Sequence, residues 1–358
     1  MVSVTTPALW RTGIAVCALL AVSAMLAGIA AGLARFGVPI PAVPVALHGA
    51  VMICAVFGTV ISLERAVALQ RLPGLLSPLA AGLGGLVAWA IGSVVAAQML
   101  WAFAAAALVL LYLHAGRSRA WSLHLVVEMA GAVCWLIGVL VWAAGDLSAA
   151  VMSWVAFLVL TIAGERRELM QMIRLPRFAR VLFVLAVAML LLSVVLSPVR
   201  AALAALLLWL ACALLALWLL RWDMAPRKWS APGWPGHVAQ CLTVGYVWLL
   251  VGALLGLYGV LSPGPLPAAG LHAVLLGFVL AMVFGHAPIM LPALLRLRPV
   301  YSAWARVPLW LLAASLLLRL GASPSGDLSA LALAGVGHAL AIVLFGAVMV
   351  AAVRGKLS

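Results

Sequence analysis

The sequence predicts an all-α protein, a polytopic membrane helical bundle of about twelve transmembrane helices. Of its 358 residues, 68% are hydrophobic and only 8% are charged. Apolar runs of about 20 residues, the length that crosses a bilayer as a helix, recur from one end of the chain to the other. These runs leave no room for a soluble domain, so we expect a single transmembrane domain over residues 1–358.

Apolar windows predict where each span begins and ends, to within a few residues. The first window follows Arg11 and is too long for the hydrophobic region of a signal peptide, so it counts as the first span. The twelve windows are 13–34, 43–63, 74–95, 97–115, 120–144, 148–165, 178–197, 199–220, 237–260, 269–294, 303–320 and 330–353.

The basic residues predict the orientation of the spans. With the N-terminus in the cytoplasm, all of the 21 lysines and arginines except Arg35, Arg200 and Arg319 fall in cytoplasmic segments. Such a bias is the positive-inside pattern, and it predicts cytoplasmic N- and C-termini in a bacterial-type inner (cytoplasmic) membrane. The net charge of +14 therefore belongs to short loops beside the lipid bilayer, and a nucleic-acid partner is not expected.

A weak internal repeat accompanies this layout. Spans 2, 6 and 10 end at the inner face in the basic stretches ISLERAVALQRLPG, IAGERRELMQMIRLPR and PIMLPALLRLRPV. A repeat every four helices is compatible with three units of four helices in pseudo-threefold symmetry. The five cysteines are scattered singly through the spans, which indicates small core residues.

Span 10 carries two histidines in an apolar helix. His272 and His286 are 14 residues apart, which on an α-helix is about 21 Å along the axis and about 40° of rotation. Both rings should then leave one face of the helix, at two depths. A histidine facing lipid is costly, so intramembrane histidines usually bind a ligand or relay protons. Pro288 and Pro292 remove backbone donors and should kink the inner end of this helix.

Depth in the membrane pairs His272 with another histidine. His48 lies early in span 2 and His272 early in span 10, both near the outer face. Two histidines at one depth on different helices can ligate a haem iron from opposite sides. His338, in the outer half of span 12, is an alternative ligand, a copper ligand or a hydrogen-bonding partner.

The inner half of the membrane holds the remaining polar candidates. His286 is a further candidate metal ligand, and Glu128 follows His124 by one turn on the same face of span 5. Three roles are then open to Glu128: it is protonated, it accepts a hydrogen bond from His124 and so orients that ring at a binding site, or it belongs to a proton path. Histidines at inner helix ends should be solvated by lipid headgroups, and acidic residues there should pair with the arginine next to them. The residues concerned are His114 and His237, and the pairs Glu64–Arg65, Glu165–Arg166 and Glu168–Arg167.

Two stretches resemble a known family. LHGAVMICAVFGTVISLERAVAL in span 2 and HAVLLGFVLAMVFGHAPIMLPALL in span 10 are similar to segments of the NnrS family of haem- and copper-containing membrane proteins. That family is distantly similar to subunit I of haem-copper oxidases, in which a low-spin haem lies between histidines early in spans 2 and 10. The resemblance implies haem b at His48 and His272, with copper as a further possible metal and a redox protein or a quinol as partner.

The chain departs from the oxidase pattern at the oxygen-reducing centre. No histidine occurs in spans 6 or 7, and Gly270 stands where a second span-10 ligand is expected. A complete haem-copper oxygen reductase is therefore not expected, although an oxidoreductase activity stays open. The resemblance then implies electron transfer, haem or metal handling, or a response to nitric oxide. The alternative is a proton-coupled transporter or channel-like protein whose site lies at the kinked helix 269–294.

Overall fold

Twelve helical spans make up the computed structural model, which describes residues 7–40, 44–262, 266–295 and 298–355. No strand occurs in these ranges, and each span is long and apolar enough to cross a membrane, so the predicted polytopic bundle is confirmed. Spans 1 to 12 are Ala8–Ala34, Val45–Leu69, Leu72–Ile91, Val94–Ser118, Leu123–Ala143, Leu147–Leu169, Arg177–Leu196, Ala201–Trp222, Gly233–Leu261, Ala268–Met290, Ala303–Ala322 and Leu328–Val353.

The span ends follow local capping chemistry. Ser93 and Ser122 accept first-turn backbone N–H groups of spans 4 and 5. Span 2 extends six residues past its predicted end at 63, and it stops where Gln70 adopts a left-handed conformation with φ of 51°. The apolar window ends at 63 because the charged residues Glu64 and Arg65 follow it, although the helix continues past them.

Span 12 is capped by an acidic residue outside the membrane-spanning segment. The Asp327 carboxylate accepts hydrogen bonds from the Ser329 hydroxyl and from the N–H groups of Ser329 and Ala330. These hydrogen bonds, that of the Ser329 hydroxyl foremost, lower the pKa of Asp327. The ionised carboxylate therefore holds the first turn of the span.

Three spans depart from regular α-helix. π-helical segments occupy Val51–Phe57 in span 2, Val87–Ile91 in span 3 and Ala273–Leu280 in span 10. Short 3₁₀ turns open spans 2, 3 and 11. π-helical turns inside α-helices are rare and frequently mark functional sites.

Span 10 is built differently from the sequence-based expectation. Leu266–His272 is α-helical, the π-helical segment follows, and Ala281–Leu295 is α-helical again. The last helix continues through Pro288 and Pro292. Because π-helical residues wind less per residue than α-helical ones, the shared face deduced for His272 and His286 from α-helical spacing no longer follows.

The chain forms two compact units, residues 1–164 and 165–358, so the boundary falls inside span 6. In the first unit, span 3 packs against span 1 and span 4, and span 4 packs against span 5. In the second, spans 7, 8, 9 and 10 pack in sequence and span 11 packs against span 12. All five cysteines are buried and free, as expected of core residues.

Candidate functional site

His48 docks against a glycine face of span 1. Its Nδ1 lies 2.7 Å from the carbonyl oxygen of Gly28, and because a carbonyl only accepts, Nδ1 carries the proton. A Cβ on Gly32, one turn further along, would meet Cε1 of the ring at 2.9 Å. Only glycine therefore lets the imidazole lie this close to span 1. The Gly28-x-x-x-Gly32 spacing was the sequence signal for this contact, as small residues four apart mark close helix packing.

His272 is held in the same protonation pattern by its own helix. Its Nδ1 lies 2.7 Å from the carbonyl oxygen of Ala268, one turn earlier, so Nδ1 again donates. The ring is partly exposed. In both histidines the neutral ring therefore carries its lone pair on Nε2.

Both histidines lie shortly before a π-helical segment of their span. His48 opens the short helix His48–Ala50 that leads directly into the π-helical segment Val51–Phe57. His272 ends the helix Leu266–His272 and leads directly into the π-helical segment Ala273–Leu280. No pattern of apolar residues reveals a π-helix, so this parallel between spans 2 and 10 could not be predicted from the sequence.

His338 is buried, with 7% of its surface exposed, between spans 11 and 12. The Ser315 hydroxyl lies 2.9 Å from the Leu312 carbonyl oxygen and 2.7 Å from His338 Nδ1. With its only proton donated to the carbonyl, the hydroxyl accepts from Nδ1–H. Nε2 then carries the lone pair, and it is buried with no hydrogen-bond partner in the described part of the chain. Arg319 lies one turn beyond Ser315, also buried, and its charge acts on the ring.

The C-terminal half of span 10 carries His286 within electrostatic reach of a buried ion pair. Its Nδ1 lies 2.8 Å from the Met282 carbonyl oxygen, and the charges of Arg166 and Asp223 act on the ring. Those two residues form a bidentate salt bridge, with Nε to Oδ2 at 2.9 Å and Nη2 to Oδ1 at 3.0 Å. The Tyr246 hydroxyl donates to Oδ2 at 3.1 Å. The charges of this polar cluster, formed by span 6, span 9 and the residue after span 8, therefore act on the His286 ring.

Glu128 is fully buried in the first unit and forms a salt bridge with Arg65. The Arg65 guanidinium also lies over the Tyr112 ring, 4.9 Å from its centroid. Gly164 leaves room for the Glu128 side chain, since a Cβ there would collide with Cγ. None of the three roles expected of Glu128 anticipated this pairing. His124 was expected to be the partner of Glu128. Its Nε2 lies 3.0 Å from the Ser122 hydroxyl.

The arginine partners show where the sequence-based interpretation was incomplete. The sequence suggests pairs of Arg65 and Arg166 with neighbouring glutamates, whereas the structure pairs them with Glu128 on span 5 and with Asp223, the residue after span 8. Consecutive residues on a helix point about 100° apart, so adjacent charges do not face each other. Asp223 could have been noticed, because the chain has only seven acidic residues and this one follows an apolar span.

His237 was expected to be solvated at the membrane surface, and that expectation was wrong. The residue is completely buried, and Nε2 lies 3.1 Å from the Phe284 carbonyl oxygen. It lies one turn into span 9, where neighbouring helices already cover the ring. His114, by contrast, is partly exposed near the C-terminal end of span 4.

A conventional metal site is not formed within the described ranges. No group of three or more histidine, cysteine, aspartate or glutamate residues there is arranged to hold a metal ion. A haem iron needs only one or two protein ligands, so this finding concerns copper and similar ions rather than haem.

Comparison with known families and proteins places the whole membrane domain in one family. Comparison with curated proteins finds no match. A family model described as a domain of unknown function, DUF8744, matches residues 14–354. Because that match includes nearly all of span 1 and all eleven spans that follow, the chain belongs to the DUF8744 family.

Proposed function

We propose that this protein is a haem b-binding integral membrane protein, with His48 and His272 as histidine ligands. One observation carries the proposal: both rings donate through Nδ1 to a backbone carbonyl, and a π-helical segment begins three residues after His48 and directly after His272. The resemblance of these two stretches to the NnrS family is the basis for assigning haem as the cofactor. It is also the basis for the functional class, which is electron transfer, haem handling or a response to nitric oxide.

The protonation pattern fits a haem ligand. Metal-bound histidines usually donate their other ring N–H to a carbonyl or carboxylate, which fixes the tautomer and orients the ring. His48 and His272 have this arrangement, and His338 has it through Ser315. A bound haem would supply a one-electron couple, whose potential depends on its ligands and their hydrogen bonds.

Arg319 favours haem over a bare metal ion at His338. A copper ion beside the buried guanidinium would bring two positive charges together in a medium of low dielectric constant. Haem carries anionic propionates that a guanidinium binds well. We therefore keep His338 and His286 as reserve haem ligands and do not extend the proposal to copper.

The orientation of the protein belongs to the same proposal. We place both termini in the cytoplasm of a bacterial-type inner membrane, on the strength of the basic inner segments. A redox protein or a quinol is the partner that electron transfer would require.

A proton-coupled transporter is the second candidate, favoured by the position of His286 beside the Arg166–Asp223 pair. A titratable ring next to buried charges within an apolar span can take part in proton movement. Glu128 contributes less to this candidate than expected, because Arg65 already neutralises it.

A reduced-minus-oxidised visible spectrum, with iron analysis of the purified protein, separates the two candidates. For protein expressed with ample haem, we expect sharp haem b bands and about one iron per chain. His48→Ala and His272→Ala should each remove most of the absorbance, whereas His114→Ala, at a helix end, should leave it unchanged. Full haem retention in both variants would refute the ligand assignment. A featureless, iron-free spectrum of the parent would refute haem binding and favour the transporter.

A further inference from the structure

A groove of about 660 Å³ runs along the surface of span 7. The residues that line it are three or four positions apart or adjacent, so they share one face of the helix, and all are exposed. They are Arg177, Arg180, Val181, Val184, Leu185 and Ala188. The groove is therefore basic at the end where the span begins and apolar beyond it.

The basic end carries positive charge that the protein does not neutralise. No carboxylate in the described part of the chain pairs with Arg177 or Arg180. Arg167 lies close enough to Arg180 for their like charges to interact, which adds to the positive potential. Unneutralised guanidiniums grouped at a membrane surface attract an anion, and phosphate matches their geometry.

The apolar part of the groove has the depth of one lipid leaflet. From Arg180 to Ala188 the helix rises about 12 Å, against roughly 15 Å for half of the hydrocarbon core. Val181 and Leu185 are 64% and 48% exposed, so this surface is not covered by the rest of the protein. A hydrocarbon chain that starts at the arginines would lie along it within a single leaflet.

We propose that this groove is a binding site for an anionic phospholipid, whose phosphate contacts Arg177 and Arg180 and one of whose acyl chains lies along Val181 to Ala188. The charge of the protein opposes a second copy of the chain as the occupant. Its net charge is +14, and the inner helix ends carry most of the basic residues, so two copies would bring like charges together at this surface. The proposal is independent of haem binding.

Native mass spectrometry of the detergent-solubilised protein with added phosphatidylglycerol or phosphatidylcholine tests the site. We expect the parent to bind phosphatidylglycerol more tightly. Arg177→Gln with Arg180→Gln should weaken that binding about 30-fold, or about fivefold for each arginine removed. The control is Arg117→Gln with Arg354→Gln, which removes equal charge from exposed inner ends of other spans and should change binding less than twofold.

A variant in the apolar part of the groove tests whether lipid binding needs the groove itself or only the positive charge of the arginines. Ala188→Trp fills the deep end with a side chain that lipid-facing positions tolerate, so it should reduce phosphatidylglycerol occupancy while both arginines remain. Equal binding of the two lipids by the parent, or equal losses in the arginine and control variants, would overturn the proposal. A shift from dimer to monomer in the arginine variant, with lipid binding unchanged, would assign the groove to a second copy instead.

Discussion

Asp223→Asn tests whether the ion pair beside His286 holds the second unit together. The two carboxylate oxygens of Asp223 accept four hydrogen bonds, two from Arg166, one from the Tyr246 hydroxyl and one from the Ala225 N–H at 2.7 Å. Asparagine keeps the size of the side chain but offers only one acceptor oxygen. Its amide group would face donors, and Arg166 would remain as a buried cation without a counter-charge.

The expected cost follows from that isolated charge. Removing one partner of a buried ion pair destabilises a protein by about 3–5 kcal/mol. At about 1.3 °C for each kcal/mol in a chain of 358 residues, the midpoint of thermal unfolding in detergent should fall by about 4 °C or more. Intrinsic fluorescence can follow the transition, since the chain has 15 tryptophans. Asp146→Asn is the matched control: the Asp146 carboxylate accepts the Ala149 N–H at 2.9 Å at the start of span 6, and asparagine caps a helix as well as aspartate does.

A second substitution identifies the cause of the loss. Arg166→Met combined with Asp223→Asn removes the unpaired cation, so we expect the double variant to regain at least half of the stability lost in Asp223→Asn. The reasoning is refuted if Asp223→Asn unfolds within about 1 °C of the parent, or if the double variant is no more stable than the single one.

Three further outcomes follow from other contacts. Gly32→Ala should displace the His48 ring and lower the ratio of haem to protein absorbance in purified protein, and an unchanged ratio would contradict that ligand. Ser315→Ala should lower the free energy of unfolding by about 1–3 kcal/mol, because the Nδ1–H of buried His338 loses its acceptor; a loss below about 0.5 kcal/mol would count against the assigned tautomer. Asp327 has a lowered pKa, so its stabilising effect is complete near neutral pH and is lost as the pH falls through the acidic range in which it titrates. Asp327→Ala should therefore lower the unfolding midpoint at pH 7 but not at a pH below that range. An equal loss at both pH values would contradict the reasoning.

The fold could be predicted almost completely from local sequence. A transmembrane helix satisfies its own backbone hydrogen bonds, so a long apolar run is enough to identify it. Span 2 shows the limit of this reasoning, since the helix continues past the charged residues Glu64 and Arg65 to Leu69. Span 10 shows another, because its π-helical segment changes the side-chain spacing without any change in apolar character.

The candidate site could be predicted only in part. Residue type and depth in the span selected His48 and His272, because histidine is costly in an apolar span and these two lie at similar depth. The partners of Glu128 and Arg166 could not be predicted, since they lie 63 and 57 positions away along the chain. Such pairs depend on how helices pack, and helix packing in lipid is set by many weak contacts rather than by one local pattern.

The sequence by itself determined the twelve spans, the span ends that carry the basic residues and the set of histidines in apolar surroundings. Each of these depends on the free energy of transferring residues that are close in sequence from water into lipid. Only the tertiary structure decided which nitrogen of each ring carries the proton, which acid neutralises which arginine, and where the helix widens into π-helical turns. Those features depend on the position of a carbonyl, a hydroxyl or a glycine on another turn or another helix. The Gly28 carbonyl that orients His48 is the clearest case, since it lies 20 residues away along the chain and 2.7 Å away in space.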